Sequence, residues 1–255
     1  MTLAWPGAKA PGLLHPACMK HGRGMHASEK GVENLEKREA VFKKINWALM
    51  ALIAIGHLAA GIYYLASGAR VYYYALAFCG LLFLPLPYGL YKALRVKTCY
   101  SLNCVIYAFF ILAYTIGLVY QGYARILYFD KLAHGLSGVL VAFLALFLYY
   151  LIKPDREIRR EECALAGTFV FMSSVAVAGL WEISEYAISL IFGTDPQNVL
   201  HTGVGDTMMD MIVCTAGTLA FVVVLALYYK KGRKGFLMGA FDDFYRQNFL
   251  EDSDL

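Results

Sequence analysis

Six stretches of about twenty apolar residues each dominate this chain and leave few folds open to it. They are Ile45–Ala66, Val71–Leu94, Leu102–Tyr120, Lys131–Ile152, Cys163–Phe192 and Thr207–Tyr229. A bilayer core about 30 Å thick is crossed by roughly 20 residues of helix. Backbone polar groups inside it must be satisfied within the segment, so each stretch reads as a transmembrane helix. The expected fold is all-α: a polytopic six-helix bundle over residues 43–232. A disordered basic tail (1–42) is expected before it and a cytoplasmic C-terminal tail (233–255) after it. With 59% apolar and 16% charged residues and a mean hydropathy of +0.52, the composition excludes a soluble two-domain enzyme. Pro85 and Pro87 should kink or interrupt the second span. The fifth span, 30 residues long, would measure about 45 Å, so it must tilt or project beyond the membrane.

The basic residues orient the bundle. Sixteen of them flank the spans on one side, among them Lys43, Lys44, Arg95, Lys97, Arg159, Arg160, Lys230 and Lys231. Only Arg70, Arg125 and Lys131 lie on the other. This asymmetry predicts cytoplasmic N- and C-termini and makes the net charge of +4 a topological signal rather than a nucleic-acid patch. His15, His21 and His26 read as part of the basic tail and not as a metal tract. That tail has no apolar core and is not read as a signal peptide. The aromatic residues of the C-terminal tail (Phe236, Phe241, Phe244 and Tyr245) suggest a segment lying on the membrane surface. None of the six cysteines falls in an outer loop, so packing roles are expected and no disulfide framework.

Charge is most informative where it costs most. Of the ten acids between Ile45 and Tyr229, four (Asp155, Glu157, Glu161 and Glu162) lie in a cytoplasmic loop. The other six are Asp130, Glu182, Glu185, Asp195, Asp206 and Asp210, all near the outer ends of spans four to six, as are His134 and His201. Asp130 and His134 are four residues apart, Glu182 and Glu185 three, Asp206 and Asp210 four, so each pair shares one helix face. Asp195 reads as a turn former and His201 as a solvated loop residue. Asp130 and Asp206 open helices, where an aspartate can cap free N–H groups. Capping does not account for Asp210, Glu182 or Glu185. An ionised side chain at the bilayer centre costs about 2.5–3.5 kcal/mol. These acids are therefore expected to be protonated, paired with Lys131 or Arg125, bound to a metal, or lifted to the interface by the long fifth helix.

Three strings carry a resemblance: Asp130-Lys-Leu-Ala-His134-Gly-Leu-Ser-Gly138, Trp181-Glu182-Ile-Ser-Glu185-Tyr186 and Gly205-Asp206-Thr207-Met-Met-Asp210-Met211. They resemble the YjdF-type family of small bacterial inner-membrane proteins, a domain of unknown function, and more distantly VanZ-like membrane proteins. The resemblance implies a multi-pass location in the bacterial plasma membrane and brings no reaction. Gly135-Leu-Ser137-Gly138 resembles the nucleophile motif of rhomboid proteases, but the sixth span holds no histidine to serve as base. An acid-phosphatase-type lipid phosphatase fails for want of an arginine-rich cradle, since Arg70 and Arg125 are the only outer-side arginines.

The residues themselves point to a divalent-metal site formed by Asp130, His134, Glu182, Glu185, Asp206 and Asp210. One imidazole with carboxylates and no thiolate suits Mg²⁺, Mn²⁺, Zn²⁺ or non-haem iron. Such a site would activate water or polarise an acyl or phosphoryl oxygen of a lipid or lipid-linked envelope substrate, with Glu182 as general base. Membrane lipids are then the expected partners, and nucleic acid is not. The rival readings are a proton or cation relay through the same carboxylates, and a non-catalytic membrane partner whose cluster only rigidifies three helices. Convergence of the three faces separates the site from chance, with His57 and Asn103 expected to be satisfied inside the bundle.

Overall fold

The computed structural model describes residues 29–154 and 158–250. The tail histidines His15, His21 and His26, Cys18, and Asp155 and Glu157 of the basic loop lie outside them. Among the described residues the chain is helical throughout, with no strand. Six stretches are long and apolar enough to cross a membrane: Glu33–Ala66, Val71–Leu94, Tyr100–Val119, Phe129–Ile152, Arg160–Phe192 and Gly205–Lys231. Ile55, Leu82, Leu148, Leu190 and Val223 turn outward, an apolar surface that suits lipid and not water.

The first crossing is α1 (Glu29–Ala66). The second is broken as its prolines require: α2 (Val71–Gly80) gives way to a 3₁₀ turn at Leu81–Phe83, and α3 (Leu86–Leu94) restarts with Pro87 in its first turn. The third begins as α4 (Tyr100–Phe110) and widens into a π-helix over Ile111–Val119. A short α5 (Gly122–Arg125) leads to α6 (Phe129–Ile152), followed by α7 (Cys163–Phe192), a short α8 (Val199–Thr202) and α9 (Gly205–Lys231). The last helix is α10 (Phe236–Tyr245).

The helices pack as two groups. α1 lies against α2 and the third crossing, while α6, α7 and α9 pack mutually. His57, fully buried in α1, ties the first group together. Its Nδ1 lies 2.8 Å from the Ala77 carbonyl oxygen and its Nε2 3.0 Å from the Thr115 hydroxyl on the π-helix. Asn103 is likewise fully buried, with the Tyr88 hydroxyl beside it.

Both tails differ from their sequence reading where they are described. α1 begins at Glu29, so residues 29–42 continue the first helix instead of forming a disordered tail. The extension is fastened by Glu39, whose carboxylate accepts from the backbone N–H groups of Tyr100 (2.7 Å) and Ser101 (3.2 Å). It thereby caps α4, whose own N-cap residue, Cys99, makes no side-chain cap bond. At the other terminus, residues 236–245 do not lie as a surface tail. Met238, Phe241 and Phe244 are buried, with Phe241 and Phe244 set edge-to-face on Phe147 at 5.2 and 5.1 Å. Of the four aromatic residues that suggested a lipid surface, Phe241 and Phe244 instead close the basic end of the bundle, while Phe236 stays exposed.

Candidate functional site

The site follows from how α6 and α9 meet. Both helices start at the same end and run in parallel, in contact through glycine. A Cβ on Gly138 would stand 2.0 Å from the Cys214 carbonyl oxygen, and one on Gly217 would stand 2.0 Å from that of Gly135. Backbone therefore rests on backbone, the close approach that small residues permit between membrane helices. Ser174 of α7 completes the contact, with its hydroxyl 2.7 Å from that of Thr218 and donating to the Gly138 carbonyl at 3.2 Å. Lys131 lies seven residues before Gly138, and Asp210 seven before Gly217. Two helical turns, about 10 Å, separate each pair, so the same faces bring Lys131 and Asp210 together above the contact.

Lys131 is the centre of what assembles there. Its ammonium donates to Asp206 at 2.6 Å, to Asp210 at 2.7 Å and to Asp130 at 3.0 Å. The Asp210 side chain is only 4% exposed, so its charge is compensated by this ammonium and not by water. His134 adds an imidazole whose Nε2 lies 3.5 Å from Asp130 and 3.9 Å from Asp210. Glu185, held by the Trp181 indole N–H at 2.9 Å, acts electrostatically on His134. Tyr123 on α5 records the field of this region. Burial, and then the negative charge of Asp130 and Glu185, push its hydroxyl up to about 12.

The six residues expected to converge are not equally placed. Asp130, His134 and Asp210 each offer an atom within 4.8 Å of the other two. Asp206 joins them through Lys131, and Glu185 stands alongside. Glu182 lies outside that set of three but acts electrostatically on Glu185. Gln197, in the turn after α7, donates to its carboxylate and to its backbone carbonyl, both at 3.1 Å. Glu182 also lines a cavity of about 360 Å³ with Ile183, Tyr186, Val199, Val204 and Thr207. That cavity lies where α7 extends past the start of α9.

Several local readings are decided as well. Neither Asp130 nor Asp206 is an N-cap residue: each is the second residue of its helix, after Tyr128 and Val204 at the cap positions, and each carboxylate is engaged by Lys131. Asp195 is the turn former expected, its two oxygens accepting from the N–H groups of Val199 and Leu200 at 2.8 and 3.0 Å. His201 is exposed on α8. The Ser137 hydroxyl donates to the His134 carbonyl at 2.7 Å, so it is engaged within its own helix and not held by an imidazole. Sequence reasoning missed Gln197 and Thr218, which sit among apolar or loop residues with no spacing to mark them. Lys131 it considered only as one partner for a stray acid.

Ligand atoms 2.0–2.6 Å from one cation lie no more than about 4–5 Å apart. The Asp130, His134 and Asp210 set falls within that range before any adjustment, with the Lys131 ammonium beside it. Inward of Ser174 and Thr218, α6, α7 and α9 meet through Phe143, Val170, Phe221 and Leu225, all buried. The polar column therefore opens toward one side alone. No curated protein and no solved structure matches the chain. Over residues 45–231, which take in five crossings whole, the first from Ile45 onward and every residue of the cluster, it matches the family described as "Predicted membrane protein (DUF2238)", and it belongs to that family.

Proposed function

We propose that the cluster is a divalent-cation site of a membrane-embedded hydrolase or transferase acting on a lipid or lipid-linked envelope component. One observation carries the reading: Asp130, His134 and Asp210, from two helices, bring three ligand atoms within 4.8 Å of one another at a position already built to hold positive charge. A bound Mg²⁺, Mn²⁺, Zn²⁺ or iron would supply Lewis acidity or an activated water there. Asp206 would keep Lys131 close to the site, and Glu185 would stand as a further ligand. Glu182, fixed by Gln197 at the wall of the neighbouring apolar cavity, is the residue positioned to take a proton from a bound amphiphile's attacking group.

The setting belongs to the same proposal: a bacterial plasma membrane, both termini cytoplasmic and the cluster outside. The charge asymmetry supports it, as does the likeness of the three motifs to YjdF-type and VanZ-like proteins. A single cysteine introduced as Asn198→Cys, in a background freed of other cysteines, should react with an impermeant maleimide in intact cells. Labelling confined to permeabilised cells would invert the orientation.

Metal analysis tests the chemistry. Protein purified without chelator should carry about one divalent ion per chain, and an Asp210→Asn, His134→Gln double variant that still runs as a single species should carry none. Equal metal content in the two would end the metal reading. It would leave a second one, favoured by the three Lys131 contacts at 2.6–3.0 Å: a charge clamp that fixes α6 to α9 without chemistry. A transmembrane relay finds less support, since buried Phe143, Phe221 and Leu225 block the column on its inner side.

A further inference from the structure

At the opposite, basic end of the bundle, a cavity of about 450 Å³ opens between the first turns of α1 and the length of α10. We propose that it binds the phosphate of an anionic diacyl phospholipid, whose chains run along the outer face of α1.

The cavity is lined by three cations. Arg38 is anchored by Asp243, Nε to Oδ2 at 3.2 Å, and its terminal amino groups lie over Gly239, where a Cβ would stand 2.7 Å from Nη2. Lys234 is anchored by Asp242. Both carboxylates are at least nine-tenths buried, whereas the Arg38 and Lys234 side chains remain 41% and 42% exposed. The acids therefore hold the two cations in place from behind. Arg246, the third, makes no ion pair among the described residues. Three cations against two carboxylates leave one positive charge in the lining, the complement of a phosphodiester's single negative charge. Gly235 also lines the cavity and is the N-cap residue of the ten-residue α10, with no side-chain cap bond. The first N–H groups of that helix are thus open to an acceptor, and its dipole favours an anion.

The apolar surroundings select a lipid over a free anion. Asn34 and Arg38 belong to one stripe of α1 that continues through Val41, Ile45 and Leu52, spaced as one helix face and all exposed. Ile45, where the apolar span begins, lies seven residues beyond Arg38, or about 10 Å along the helix. The polar region spans about 5–8 Å on each side of the hydrocarbon core, so Arg38 stands at its outer edge, within a side chain's reach of a headgroup phosphate. Phe236, 55% exposed, stands at the rim of the same cavity. A lipid seated there would join α1 to α10, which Arg38 and Asp243 already link.

The experiment uses the full chain in a neutral detergent, with binding read by native mass spectrometry and by melting temperature. Dioctanoyl phosphatidylglycerol should bind at least about tenfold more tightly than dioctanoyl phosphatidylcholine or inorganic phosphate. Arg246→Gln should lose about tenfold of that affinity, the worth of one charge-assisted contact, with its lipid-free melting temperature unchanged. Arg38→Gln leaves the buried Asp243 carboxylate without its cation and can unfold the end, so Arg246→Gln carries the decision. Equal binding of phosphatidylcholine would mean apolar adhesion without phosphate recognition, and equal binding of inorganic phosphate a free-anion site. Either result, or an Arg246→Gln protein that binds phosphatidylglycerol like the parent, overturns the proposal.

Discussion

Lys131→Met is expected to lower the melting temperature sharply in chelator and to make the protein dependent on added divalent cation. The substitution keeps the length and apolar stem of the side chain and removes its charge. Three carboxylates are then left facing one another, with the Asp206 and Asp210 side chains only 16% and 4% exposed. Removing one partner from a buried ion pair costs about 3–5 kcal/mol, and the 21% exposure of Lys131 places this case toward the lower end. The metal and clamp readings then diverge. If Asp130, His134 and Asp210 can ligate one ion, Mn²⁺ or Zn²⁺ should restore the variant by occupying the vacated position, and should raise the parent's melting temperature less. If the cluster is a clamp only, cations leave the variant unimproved, and a second change, Asp210→Asn, recovers part of the loss. Thermal scans of the parent and two variants, with and without cation, distinguish these outcomes.

What could be read from the chain depended on how local the determinant was. The six crossings were legible because lipid tolerates one kind of surface, and the break at Pro85 and Pro87 because a missing N–H is a local fact. The pairing of acids on single faces followed from helix periodicity. Which face meets which did not. It depends on Gly138 seating against Cys214 and Gly217 against Gly135, contacts between residues far apart in sequence. The same holds for Glu39, which caps a helix whose first N–H lies 61 residues away and which therefore reads as a tail residue in isolation. Glu182 was grouped with Glu185 by spacing, and the two do interact, whereas its hydrogen-bond partner Gln197 comes from a turn that gave no signal. Lys131 illustrates a different limit. A lysine beside an aspartate at a helix start looks like an interfacial anchor, and only the register of α6 on α9 makes it the charge that three aspartates share.

That register makes Gly138 the position where a single added side chain should do most damage to the site without touching it. In Gly138→Leu the new Cβ would lie 2.0 Å from the Cys214 carbonyl oxygen, 2.9 Å from its carbon and 3.1 Å from the Thr218 nitrogen. All three are backbone atoms of a helix, so none can turn aside, and α6 and α9 must separate. Overpacking a core costs about 1–3 kcal/mol when side chains can yield, and this contact should exceed that range because none can. The Ser174 hydroxyl, which donates to the Gly138 carbonyl and lies 2.7 Å from the Thr218 hydroxyl, would lose its acceptor. Two turns further out, the 2.6 and 2.7 Å contacts from Lys131 to Asp206 and Asp210 would open, since a shift of about 1 Å removes a hydrogen bond. The variant should therefore melt well below the parent and lose both its bound metal and the cation response of Lys131→Met. Two neighbouring glycines supply the control. A Cβ on Gly135 meets nothing nearer than the Val213 carbonyl oxygen at 3.7 Å, and one on Gly179 meets nothing within 4 Å. Gly135→Ala and Gly179→Ala should melt close to the parent and keep its metal content. A Gly138→Leu protein that behaved as they do would show that α6 and α9 are not held backbone to backbone. The convergence of Asp130, His134 and Asp210 would then lose its structural cause.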